Sequence, residues 1–196
     1  ITDLSPTTYS DTELGQINII HNVGDINDNG ADELIAVDLA TESNNEKLAL
    51  YSGGSTISET PDHIIEYEGR SQSGISTAAP GDVNGDGVED FVIGRPSYSD
   101  SLNSAGRADV YFGGQELSLQ QPDLTLRPDS LNNSVGGFAY ALAGGDFNGD
   151  GVADIAVRPY TVVPGEGDSA SVNNTISIFH GGEQVDDSVD KKLFIP

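Results

Sequence analysis

The amino-acid sequence predicts an all-β chain: three consecutive four-stranded blades of a β-propeller. Three observations carry that expectation. Residues 24–37, 81–94 and 145–158 align without gaps, each opening Gly-Asp-x-Asn and crossing an Asp- and Gly-rich stretch into an apolar run. Every unit then shows two further marks in the same order, so the repeat is about 60 residues long. The apolar runs between these marks are short and alternating, bounded by Gly, Pro, Asn and Asp, which is the pattern of strands; no stretch has helical periodicity.

The first strand of each unit precedes the Asp-rich loop, as in 17–21 and 139–143. The second follows it at once, at 34–37, 91–93 and 155–157. The third leads into Gly-Gly, at Leu48-Ala-Leu-Tyr-Ser-Gly-Gly54, Ala108-Asp-Val-Tyr-Phe-Gly-Gly114 and Ile176-Ser-Ile-Phe-His-Gly-Gly182. The fourth closes the unit, at Ile64-Ile-Glu-Tyr67, Leu124-Thr-Leu-Arg127 and Leu193-Phe-Ile-Pro196. Four sequential strands at this period describe propeller blades, with expected boundaries at 1–69, 70–128 and 129–196.

Composition narrows the function. The chain has 196 residues, with 32 acidic and 8 basic side chains, and a formal charge of −24. That charge repels nucleic acid and anionic lipid and suits a collector of hard cations or a life in high salt. Cysteine is absent, which removes disulfides, thiolate metal sites and cysteine nucleophiles. No apolar run approaches the ~20 residues of a membrane-spanning helix. A chain opening Ile1-Thr2-Asp3 without Met reads as a processed mature form or an excised segment.

The loop carries the chemistry. Oxygen-bearing side chains stand at positions 1, 3, 5 and 9, with Gly at position 6. They are Asp82, Asn84, Asp86 and Asp90 in the second unit, and Asp146, Asn148, Asp150 and Asp154 in the third. Ca²⁺ takes six to eight oxygens, and alternate residues of a tightly curled loop point inward together. Glycine at position 6 lets the backbone carbonyl of position 7, Val88 or Val152, join the set. Mg²⁺ is stricter in geometry and fits less well. The first loop offers Asp25, Asn27, Asn29, the Ala31 carbonyl and Glu33, with two formal charges in place of three. It is expected to be the weakest of two to three calcium sites, or an empty hydrogen-bonded loop. An EF-hand needs a carboxylate at position 12 and a following helix; Ala36, Ile93 and Val157 stand there, inside strands. A single such loop also reads as a solvated Asx turn, but three in register favour the metal.

These residues resemble the FG-GAP repeats of the integrin α-subunit propeller family. The Gly-Asp-x-Asn-Gly-Asp-Gly core with Asp at position 9 carries the likeness. Arg95-Pro96 and Arg158-Pro159-Tyr160 stand for the Gly-Ala-Pro half of the signature and Phe138-Ala139 for the Phe-Gly half, which Ile17-Asn18 and Gly74-Ile75 have eroded. The resemblance implies four-stranded blades with the metal loop joining the innermost strand to the second. It also implies extracellular or cell-surface adhesion or ligand binding, with calcium stiffening the face away from the ligand. Family propellers close with seven blades, so three repeats imply further blades or self-association.

From the first loop aspartate to Gly-Gly measures 28, 31 and 35 residues. All the growth falls between strands two and three, in connections 38–47, 95–107 and 158–174, on the face opposite the metal loops. Variable loops on a regular scaffold are where recognition concentrates. Arg95, Tyr98, Arg107, Arg158 and Tyr160 are the contact candidates there, for a protein or glycan ligand. The histidines show no recurring site and no catalytic constellation repeats, so the expected role is non-catalytic. A lectin-like propeller, a self-assembling surface or filament subunit and an accessory domain of a secreted enzyme are the alternatives.

Overall fold

The structure is a computed structural model, which describes residues 17–38, 46–67, 75–99, 105–115, 117, 119–128, 137–160, 162–163, 171–172 and 175–194. They form three four-stranded antiparallel sheets, each a blade with its strands in sequence order. Blade 1 is β1 (Ile17–Gly24), β2 (Glu33–Asp38), β3 (Glu46–Tyr51) and β4 (His63–Tyr67). Blade 2 is β5 (Ser76–Gly81), β6 (Asp90–Arg95), β7 (Arg107–Tyr111) and β8 (Leu124–Leu126). Blade 3 is β9 (Ala141–Gly145), β10 (Asp154–Arg158), β13 (Thr175–Phe179) and β14 (Lys191–Phe194). The propeller expectation therefore holds. The first strands are innermost: β1 packs on β5, and β5 on β9. Here β5 and β9 are built from Ala, Gly and Pro at most positions, because strands converging on an axis leave little room for side chains.

The blades stack through alternating side chains. Successive residues of a strand point to opposite faces, so β6, buried along its whole length, serves two cores. Phe91 and Ile93, with Tyr111 of β7, face blade 1 and meet Ile35, Val37, Leu48, Leu50, Ile65 and Tyr67. Val92, Ala108, Val110 and Leu126 face the other way and meet Ile155, Val157 and Phe179 of blade 3. Phe91 stacks on Tyr111 with ring centroids 5.0 Å apart, and Phe138 meets Phe179 edge-on at 6.4 Å.

Backbone hydrogen bonds join the blades at the loop end. Gly114 N–H donates to the Ile26 carbonyl, and Gly182 N–H to the Val83 carbonyl, each at 2.8 Å. The first glycine of each Gly-Gly pair is a close approach. A Cβ at Gly113 would stand on the Glu89 and Ile26 carbonyls, and one at Gly181 on the Ala153 and Val83 carbonyls.

Two details differ from expectation. The third blade's first strand starts at Ala141 rather than 139, because Ala139 adopts a left-handed φ of 62° and turns the chain before pairing begins. Its long connection also carries a two-stranded ribbon, β11 (Val162–Val163) with β12 (Ser171–Val172). The blade boundaries expected at 69/70 and 128/129 lie in or beside stretches outside the described residues.

Because the Gly181 site has no room for a methyl group, Gly181→Ala is expected to destabilise the protein by about 1–3 kcal/mol. Urea unfolding of the variant beside the unsubstituted protein checks this.

Candidate metal centres

Each loop lies between the inner strand and the second strand of its blade, at the same end as Gly-Gly. The position-1 carboxylate is the hub. Asp82 accepts N–H bonds from Gly85 (2.7 Å), Asp86 (3.1 Å) and Gly87 (2.8 Å). Asp146 does the same for Gly149, Asp150 and Gly151, and Asp25 for Asn29 and Gly30. Gly30, Gly87 and Gly151 take φ near 90° at position 6, where a side chain would be strained. At position 4, Gly85 and Gly149 are matched in loop one by Asp28, also left-handed at φ 56°, a conformation Asp tolerates better than most residues.

Positions 3 and 5 continue the curl. The Asn84 side-chain oxygen accepts the Asp86 N–H, and Asp86 accepts the Val88 N–H, both at 2.9 Å. The Asn84 amide donates to Asp86 at 2.9 Å. Asn148, Asp150 and Val152 repeat all three bonds. These bonds hold the Asp150 carboxyl below its ordinary range. In loop one, Asn29 accepts the Ala31 N–H.

Position 9 is buried: Glu33, Asp90 and Asp154 are each 1% exposed or less. One Asp90 oxygen accepts N–H bonds from Val83 (2.7 Å) and Asn84 (3.3 Å), the other from Gly113 (2.8 Å). Asp154 binds Phe147 and Gly181, and Glu33 binds Ile26 and Gly53, in the same way. Burial raises Asp90 to about 6, against the pull of its three N–H donors. Glu33 is raised too, again chiefly by burial.

Does this donor set fit a hard cation? Among the described residues no three acidic or histidine side chains converge closely enough to hold an ion by themselves. The donors are mixed carboxylate and amide oxygens on one curled strand, the chemistry Ca²⁺ prefers. Loop one supplies a specific sign. The side-chain oxygen of Asn27, at position 3, is buried with no hydrogen-bond partner. A buried acceptor without a donor is costly, and a cation is one partner that satisfies it.

Sequence reasoning missed a second repeated carboxylate. Asp62, Asp123 and Asp190 stand just before the fourth strand. Each accepts the N–H of the residue before Gly-Gly, respectively Ser52 (2.7 Å), Phe112 (2.9 Å) and His180 (2.8 Å). Each donates its own N–H to the Leu50, Val110 or Ile178 carbonyl. The signal was present: an Asp nine or ten residues after the first Gly of the pair, preceded by Pro61 or Pro122 in two units.

The ligand candidates are distributed over two places. Arg95, 8% exposed, sits over the rings of Tyr67 (4.1 Å) and Tyr98 (4.7 Å). Arg107 covers the other contact to Tyr98 at 3.9 Å and pairs with buried Asp109 at 2.9 Å. Burial raises Asp109, opposed first by Arg107, and lowers Arg95, with Arg107 adding to the effect. Tyr160 is exposed and packs on Tyr140 at 5.1 Å, and Arg158 ends β10, half-buried.

Asp90→Asn keeps one oxygen and turns an amide onto a backbone N–H, so it is expected to cost about 1–3 kcal/mol even in EDTA. Asp86→Asn retains its acceptor for Val88 and is expected to be near neutral in EDTA. The raised Asp90 also sets a pH dependence in metal-free protein. Its stabilising proton is fully held below pH ~4 and lost as pH rises through about 6. Urea midpoints in EDTA across that window, absent from Asp90→Asn, check it.

Comparison with known proteins agrees with this architecture. A model of the FG-GAP repeat matches residues 74–111 and 138–178, covering the loop and third strand of blades 2 and 3. The chain is 34% identical over 107 residues to phosphatidylinositol-glycan-specific phospholipase D of Mus musculus, covering 53% of this chain and 12% of that protein. It is 38% identical over 111 residues to integrin alpha-PS2 of Drosophila melanogaster (53% and 7%). It is 37% identical over 101 residues to integrin alpha-6 of Homo sapiens (51% and 9%). The matches thus span about a tenth of each relative's length. The chain carries FG-GAP repeats over residues 74–111 and 138–178 and is similar over about half of its length to integrin alpha subunits and to phosphatidylinositol-glycan-specific phospholipase D.

Proposed function

We propose that this chain is a calcium-stabilised, non-catalytic propeller segment that binds a ligand outside the cell, in adhesion or a related recognition role. The observation that carries the reading is the threefold recurrence of one oxygen-lined loop, with its position-1 carboxylate turned inward, at one end of every blade. Calcium would be held by Asp82, Asn84, Asp86, Asp90 and the Val88 carbonyl, and by Asp146, Asn148, Asp150, Asp154 and the Val152 carbonyl. Asp25, Asn27, Asn29, Glu33 and the Ala31 carbonyl form the third set. Three ions would reduce the charge from −24 to −18, relieving repulsion among loop carboxylates.

The ligand face is the opposite one, where the second-to-third-strand connections emerge. The described groups there include a cationic and aromatic set: Arg95, Tyr98 and Arg107 as one stacked cluster, with Arg158 and Tyr160 beside the β11–β12 connection. A protein or glycan ligand fits that mixture, since aromatic and Arg groups dominate recognition surfaces. The similarity to phosphatidylinositol-glycan-specific phospholipase D supports a second reading, in which the segment accompanies an enzyme. Among the described residues no helix is long and apolar enough to cross a membrane.

Chelation is expected to lower the melting temperature markedly, and Asp82→Ala or Asp146→Ala to remove most of the calcium-dependent difference. Differential scanning calorimetry with calcium and with EDTA reads it, and identical melting of metal-free and calcium-loaded protein would overturn the metal reading.

A further inference from the structure

The junction of blades 1 and 2 holds one cation that its surroundings leave unmatched. Strand β6 runs from Asp90, beside the second metal loop, to Arg95, so its last residue lies at the face opposite the loops. Arg107 opens β7 directly across from it. The two guanidiniums differ in what they touch. Arg107 is paired: its Nε and Nη2 both reach one Asp109 oxygen at 2.9 Å, and the other Asp109 oxygen accepts the Thr125 hydroxyl. Arg95 lies over the rings of Tyr67 and Tyr98. Among the described residues no hydrogen bond or ion pair engages its guanidinium.

Stacking on rings attracts the cation but leaves its N–H donors free, because they lie in the guanidinium plane and point past the aromatic faces. Tyr67 is itself held, its hydroxyl 3.3 Å from that of Tyr111, so the fork of Arg95 is fixed in direction. At 8% exposure little water reaches it. A desolvated cation with unused donors is costly, and a planar carboxylate, which takes two parallel N–H bonds, offsets that cost best. The one carboxylate within the cluster, Asp109, is already committed to Arg107 and Thr125.

We infer that Arg95 receives a single carboxylate from a side chain of a basic partner protein, with Arg107 and Tyr98 bordering the contact. The net charge selects the partner. A chain at −24 repels an acidic polysaccharide, whose charge recurs along its length, and attracts a positive surface. The carboxylate is therefore an isolated one among basic neighbours. Arg and Tyr are also the residues that concentrate binding energy at protein interfaces. The inference rests on the ligand face proposed above and adds the chemistry of what binds there.

Three probes test it on the calcium-loaded chain: the end-blocked peptide Gly-Lys-Gly-Glu-Gly-Lys-Gly, its counterpart with Gln for Glu, and sialyllactose as a glycan carboxylate. Heteronuclear NMR follows the arginine Nε–H and backbone amide resonances. The Glu peptide is expected to shift Arg95 Nε–H saturably, and the Gln peptide, although more cationic, to leave it in place. Arg95→Lys keeps the charge without the fork and is expected to weaken the Glu peptide about tenfold or more, read at Arg107 Nε–H, with an unchanged amide spectrum elsewhere confirming the fold. Equal shifts from the two peptides, or no shift of Arg95 at millimolar Glu peptide, would overturn the inference. Sialyllactose acting as strongly as the Glu peptide would overturn the choice of a protein. Responses at Tyr98, Arg158 or Tyr160 without Arg95 strike only this inference, whereas shifts confined to the Gly113 and Gly181 end strike the ligand-face reading as well.

Discussion

The structure depends on a buried carboxylate held by backbone N–H groups from both of its sides. Glu33, Asp90 and Asp154 each bring one oxygen to the start of the loop and the other to the first Gly of Gly-Gly. One side chain therefore fastens the inner strand, the second strand and the end of the third. Burying an ionised group is expensive, and the N–H donors offset that cost through charge-assisted bonds. The loop cannot wander because its exit residue is also its anchor. Ile26, Val83 and Phe147 are then aimed away from their own sheet, toward whatever lies beside the blade.

A second polar system does related work at the opposite end. Arg95 of blade 2 lies over Tyr67 of blade 1, whose hydroxyl meets that of Tyr111 at 3.3 Å. Asp109 neutralises Arg107 and accepts a bond from Thr125 at 3.1 Å. Burial drives the Tyr67 hydroxyl well above its ordinary range, keeping it neutral and able to share a hydrogen bond. The junction of blades 1 and 2 is thus pinned by backbone and carboxylate at one end and by stacked cations at the other.

Much of this was legible in the sequence. The gap-free match of 24–37, 81–94 and 145–158 located the loops, and alternation with the repeated marks placed eleven strands within a few residues of where they lie. Gly-Gly was visible as a mark, but its reason was not, since the carbonyls of Glu89 and Ala153 that exclude a Cβ belong to a distant segment. Asp90 could be read as an oxygen donor by its spacing, whereas its bond from Gly113 appears only once β7 folds back beside the loop. Arg95, Tyr98 and Arg107 were grouped as members of one connection; the stacking of Arg95 on Tyr67 needed the neighbouring blade. The β11–β12 ribbon was hidden because two-residue strands have no periodicity to detect.

The double-sided burial of β6 has a consequence for how the molecule comes apart. Blade 2 lends one face to each neighbour, so losing contact with either one exposes half of its apolar side chains to water. Cooperativity in such a linear stack passes through the middle unit. Amide protons of β6 and β7, flanked by packed blades on both faces, should therefore exchange slowly with solvent.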